Sequence, residues 1–171
     1  MSRIPTKSAY CAADILHSLL VNSQLDQIIA YSIQVTLRFI ADGSSGGFHY
    51  VNLHLLCDAI VKKGTALPAL CPSSNERGMF LKHAHPLIGE YVRDVKLESN
   101  GDLILAAGNS TIELIHLDDY PPDGNWAWKV EREDVSADRP GGPVYVACVP
   151  DQPEVLFVCS STHRTSESED S

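Results

Sequence analysis

Between Leu87 and Val130 the chain reads as a meander of short antiparallel strands, and no other stretch narrows the fold as much. Leu87 to Leu97 leads into Asn100-Gly101-Asp102. Leu103-Ile104-Leu105, a Gly108-Asn109 turn and Ile112 to Ile115 follow. An acidic loop then precedes Trp126-Ala127-Trp128-Lys129-Val130. Apolar runs of this length, bounded by glycine and asparagine turns, are strand chemistry. The stretch carries no catalytic motif.

The flanking regions complete an α+β pattern. From Ser8 to Val21, Cys11, Ala12, Ile15, Leu16, Leu19 and Leu20 recur at helical spacing, so a helix with one dry face is expected there. Ile28 to Ile40 alternates strictly, with Tyr31, Ile33, Val35, Leu37 and Phe39 on one face and Ser32, Gln34, Thr36 and Arg38 on the other. That predicts a half-buried strand. Asp42 to Gly47 is turn chemistry, and Phe48 to Cys57 should return as a hairpin. Leu55 to Lys63 suits either a strand or a short helix ending at Gly64. Thr65 to His85 reads as an irregular connection with one helical turn near Met79-Phe80-Leu81. Pro143 to Val149 and Glu154 to Cys159 are late strands around Pro150-Asp151-Gln152-Pro153. The expected architecture is α+β: a mainly antiparallel sheet of about seven or eight strands with the N-terminal helix packed on it. One domain should span 1–159, with 160–171 a disordered acidic tail. Ala30 to Leu37 faintly resembles Glu90 to Leu97, as any two half-buried strands can.

Charge and cysteine usage bound the function. A net charge of -9 opposes direct nucleic-acid binding, which needs lysine and arginine against phosphate. It also opposes an anionic membrane surface. No apolar run approaches a membrane span, and the N-terminus lacks the apolar core of a signal peptide, so the cytoplasm is the expected compartment. The five cysteines are odd in number and widely spaced, without a C-x-x-C pair. That suits reduced thiols, with Cys57 and Cys148 acting as small hydrophobes.

Candidate chemistry is sparse. His83-Ala84-His85 would put both rings on one side of a strand, with Glu90 or Asp94 as an imagined third metal ligand. The spacing supplies no convergent set of three or four ligands, so a solvent-exposed pair before Pro86 is the plainer reading. No nucleophile elbow, phosphate loop or cysteine–histidine signature occurs. No cofactor is expected. The acid-rich stretch from Asp118 to Asp138 is more distinctive. It holds Asp118, Asp119, Asp123, Glu131, Glu133, Asp134 and Asp138 against Lys129 and Arg132, a local charge of -5. Tyr120, Trp126 and Trp128 are interleaved. Carboxylates around aromatic anchors suit a basic protein partner. The structural alternative is a solvated loop, with both tryptophans on the core face of one strand.

The strand from Leu87-Ile88-Gly89-Glu90-Tyr91-Val92-Arg93-Asp94-Val95 through Trp126-Ala127-Trp128-Lys129-Val130 resembles small bacterial immunity proteins of contact-dependent inhibition and related polymorphic toxin systems. The resemblance covers about the middle quarter of the chain. It implies a non-enzymatic cytoplasmic protein that binds one toxin domain, often a nuclease, and occludes its active site or substrate groove. No residue roles carry over from it. On charge alone, the expected partner-binding residues are Asp118, Asp119, Tyr120, Asp123, Glu131, Glu133 and Asp134. The rival expectations are a small hydrolase or metal-dependent enzyme using His83 and His85, and a non-catalytic adaptor domain.

Overall fold

The computed structural model describes residues 6–31, 34–42, 47–63, 69–71, 77–115, 126–133, 144–149 and 156–159. The chain opens with helix α1 (Thr6–Leu20), then strands β1 (Gln24–Ala30), β2 (Val35–Asp42), β3 (Phe48–Leu55), β4 (Asp58–Lys63) and β5 (Ala69–Cys71). Helix α2 (Arg77–Ala84) runs into a 3-10 turn at His85–Leu87. Strands β6 (Val92–Leu97), β7 (Leu103–Ala107), β8 (Ser110–Ile115), β9 (Trp128–Glu133), β10 (Tyr145–Cys148) and β11 (Leu156–Cys159) follow.

The class is α+β and the pairing antiparallel, but the strands form two sheets rather than one. The first has the order β1-β2-β3-β9-β10-β11 and the second β5-β4-β8-β7-β6. One apolar cluster draws on both. Leu37, Phe39, Leu53, Trp128 and Val130 enter it from the first sheet; Val61, Val92, Leu105, Ile112 and Leu114 enter from the second. Each such large side chain, taken out of water, stabilises the fold by roughly 1.5–3 kcal/mol.

Helix α1 closes this core. Ala12, Leu16, Leu19 and Leu20 are buried, while Asp14, His17 and Ser18 stay on the wet side. The helix packs against β6 of the second sheet and against β2, β10 and β11 of the first. It ends where Asn22 turns left-handed at φ 67°. The exit is fixed to the second sheet. Asn22 N–H donates to Val92 O at 2.8 Å, and Val92 N–H donates to Ser23 O at 2.9 Å.

Among the described residues, two junctions join the sheets. At one, Gln24 of β1 bridges Tyr91, just ahead of β6. At the other, the backbone turns between β3 and β4, where Leu56 and Cys57 both donate N–H to Ala127 O at 2.9 Å. Trp128 adds a side-chain tie: its buried Nε1–H donates to Gly101 O at 2.9 Å, in the β6–β7 turn. Gly101 sits at φ 93°, a conformation that glycine adopts without strain.

Several expectations are corrected. The alternating run from Ile28 to Ile40 is two strands, because Tyr31 N–H bonds Gln34 O at 2.8 Å and closes a turn. Tyr31 accordingly lies exposed instead of sharing the dry face. The ambiguous Leu55–Lys63 stretch resolves as the β3–β4 corner and strand β4. The connection before Pro86 holds a two-turn helix, so His83 and His85 lie on helical backbone, neither in a strand nor in a loop. The meander ends with β8. The tryptophan strand β9 crosses to the first sheet, between β3 and β10. The two tryptophans also part company. Ala127 is a bend, so Trp128 enters the core while Trp126 is half-buried beside His54. Expectations for 160–171 and for the turns at 43–46 and 150–153 lie outside the described residues.

Candidate functional site

The dry face of β2, β3 and β9 takes the apolar alternate residues, which leaves the intervening polar ones on the outer face of the first sheet. Register then decides which of them meet. His54 pairs with Thr36 on one side and Lys129 on the other; Asn52 pairs with Arg38 and Glu131. The result is a continuous polar network.

His54 stands at its centre. Gln34 Nε2 lies 2.8 Å from His54 Nδ1 and 3.0 Å from Thr36 Oγ1. An amide nitrogen only donates, so Nδ1 accepts and the ring proton sits on Nε2. That proton is directed at Glu131 Oε1, 2.9 Å away. The second oxygen of Glu131 takes Lys129 Nζ. Burial alone would raise the Glu131 carboxyl. The hydrogen bonds from Lys129 and His54 more than offset it and hold the group below the ordinary glutamate value. A rung away, Glu133 Oε2 accepts from Arg38 at 3.0 Å and from Asn52 Nδ2 at 3.1 Å. Arg38 also donates through Nε to Asn52 Oδ1 at 3.0 Å.

Aromatic rings border the network. Arg38 lies over Tyr50, 5.1 Å from the ring centre, and Lys129 over Tyr145 at 5.0 Å. Phe48 meets Tyr50 edge-on at 5.8 Å and is 61% exposed. These are cation–π and T-shaped geometries that fix side chains as well as attract them.

Of the expected partner-binding residues, the structure places Glu131 and Glu133 together on this face, each already holding internal partners. Asp118, Asp119, Tyr120, Asp123 and Asp134 lie outside the described residues. Thr36, His54 and Glu131 stand in the hydroxyl–imidazole–carboxylate order of a hydrolase relay, with Thr36 Oγ1 2.9 Å from Nδ1. Thr36 is only 3% exposed, however, so its hydroxyl has no path to a substrate and the chain of bonds reads as a positioning network. Periodicity identified the strand faces but gave no sign of this network, because β9 lies far along the chain from the β2–β3 hairpin that it joins.

A concave feature lies beside the second sheet. A cleft of about 300 Å³ opens between α2, the end of β4 and the β7–β8 turn. His83 lines it; His85 does not. No group of three or more His, Cys, Asp or Glu suited to a metal occurs among the described residues. Cys57 and Cys148 are buried, and burial pushes the Cys148 thiol up to about 12, far from a reactive thiolate. No helix among the described residues is long and apolar enough to cross a membrane. Comparison with protein-family models, curated proteins and solved structures finds no match, so the site is read from this chain's own residues.

Proposed function

We propose that this chain is an immunity-type inhibitor, a non-enzymatic protein that binds a basic toxin domain and blocks its active site or substrate groove. One observation carries the reading. Strand β9 is an interior strand of the first sheet, held on both sides by β3 and β10. Its sequence is flanked by acid-rich segments, with Asp118, Asp119 and Asp123 before it and Asp134 and Asp138 after it. Glu131 and Glu133, fixed on that strand and bordered by Trp126, Tyr50 and Tyr145, supply charge and aromatic anchors with little ordering cost. In a chain of net charge -9 the complementary surface is basic, as in a nuclease groove built to hold phosphates. The protein would act in the compartment where that toxin acts, the cytoplasm.

The test is association kinetics with the product of the neighbouring gene, which this reading expects to be a basic nuclease domain. Association should slow as salt rises, since the screening length falls from about 30 Å at 0.01 M to about 10 Å at 0.1 M. Replacing Asp118 and Asp119 by Asn should slow it further. Salt-independent binding, unchanged in that double variant, would remove the acidic segments from the interface. Failure to bind or to protect cells from that nuclease would overturn the inhibitor reading.

A further inference from the structure

We propose that the cleft beside α2 is a binding site for a small phosphate monoester, separate from the toxin-facing sheet and independent of the inhibitor reading. The first argument is the state of its cations. Elsewhere among the described residues, Arg38, Lys62, Lys96 and Lys129 each hold a carboxylate within 3.0 Å, while the exposed Arg93 shows no such pair. Lys63 and Lys82, with His83, make no such pair among the described residues, yet all three line one cleft. Acids outnumber bases 22 to 13 in this chain, so cations without a carboxylate partner are the less expected state. Two lysines beside an imidazole, against the one described carboxylate of Glu90, leave this concavity with a positive balance inside an acidic protein.

The fold explains how they converge. Lys62 and Lys63 point to opposite sides of β4 by strand alternation. Lys62 crosses to Glu113 on β8 at 2.5 Å, while Lys63 continues the Val61 side past the end of the core. Lys82 and His83 occupy the last turn of α2. A helix end favours cations there, which accounts for those two but not for Lys63 on a different element.

The rest of the lining sets the ligand class. Val61, Pro86 and Leu87 form an apolar wall, and Asn109 and Ser110 offer polar groups from the β7–β8 turn. The single carboxylate among the described lining residues is Glu90, whose side chain lies against Gly108. A Cβ at Gly108 would come within 2.5 Å of Glu90 Oε2, so the absent side chain is what lets the carboxylate rest there. Two lysines and an imidazole suit a dianionic phosphate. Glu90 and Asn109 suit the hydroxyls of the attached carbon skeleton, with the apolar wall behind it. A volume of about 300 Å³ suits a compound of sugar phosphate size, at the small end of ligand pockets.

Isothermal titration of the full chain with glucose 6-phosphate, inorganic phosphate and glucose tests this. Glucose 6-phosphate should bind more tightly than inorganic phosphate, and glucose should not bind. Lys63→Met and Lys82→Met should each weaken binding roughly tenfold or more, the loss of one charge-assisted hydrogen bond. Lys96→Met, at a lysine that does not line the cleft, should bind as wild type. The mutated lysines are exposed, and an unchanged melting temperature verifies each fold. Equal affinity for phosphate and its ester would overturn the ester assignment. Binding indifferent to both cleft lysines, or none with any probe at millimolar concentration, would overturn the site.

Discussion

On the outer face of the first sheet, Arg38, Lys129 and His54 each face a carboxylate; in the cleft beside α2, Lys63, Lys82 and His83 face none within ion-pair reach among the described residues. The two regions show the two uses a fold makes of charge. Paired groups spend their interaction energy inside the molecule and hold a surface in one shape. Unpaired groups add little to folding and keep their interaction for something else. The first arrangement suits a rigid docking face, the second a ligand pocket.

Substitutions can break that contrast. The largest effect is expected from Glu131→Ala, which leaves the His54 Nε2 proton and the Lys129 ammonium without their acceptor on a half-buried face. A loss of about 1–3 kcal/mol in urea unfolding is expected, or several degrees in melting temperature at this chain length. A loss below about 0.5 kcal/mol would make the sheet face as loosely held as the cleft.

Next comes the acid limb of stability. The folded Glu131 carboxyl lies below its ordinary value, so its ionised form contributes stability that is fully present above the unfolded glutamate range. That contribution is lost as pH falls through the depressed folded value. Wild type and Glu131→Gln should therefore converge as pH drops from about 6 to well below the unperturbed value of about 4.3. The converging part should stay within about 1 kcal/mol, because the group is partly solvated. Parallel curves would mean that Glu131 is not held ionised by its neighbours.

Arg38→Ala should cost about 0.5–1 kcal/mol, since its partner Glu133 is largely exposed and water replaces much of the pair. Smallest of all, Lys63→Ala and Lys82→Ala should each stay within about 0.5 kcal/mol of wild type, with or without added salt. A clear destabilisation by either would give that lysine a structural role and erase the contrast.

The hairpin β2–β3 was legible in the sequence because Val35, Leu37 and Phe39 alternate with polar residues and the return strand begins after a glycine-rich turn. Helix α1 was legible for the same reason, at a different period. The break between β1 and β2 was not, since alternation runs on through Tyr31 and the turn shows itself only in the Tyr31–Gln34 hydrogen bond. Nor was the division into two sheets. Which strand receives Trp128 and Val130 depends on pairing with β3 and β10, a long-range choice that local pattern does not encode. The acids of β9 could be named from the sequence, but their partners Arg38, Asn52 and His54 come from the opposite half of the chain. The cleft was hidden likewise: His83 stood out only beside His85, whereas the groups that matter to it are Lys63 and Lys82.

The bend at Ala127 gives the molecule two separate optical reporters. Trp128, dry and hydrogen-bonded to Gly101, should emit toward the blue and resist acrylamide until the two sheets separate. Trp126, half-buried near the His54 ring, should be quenched early and respond to whatever settles on the outer face. With only these two indoles in the chain, replacing each in turn by phenylalanine would let one fluorescence experiment follow docking and the other follow unfolding, without any added label.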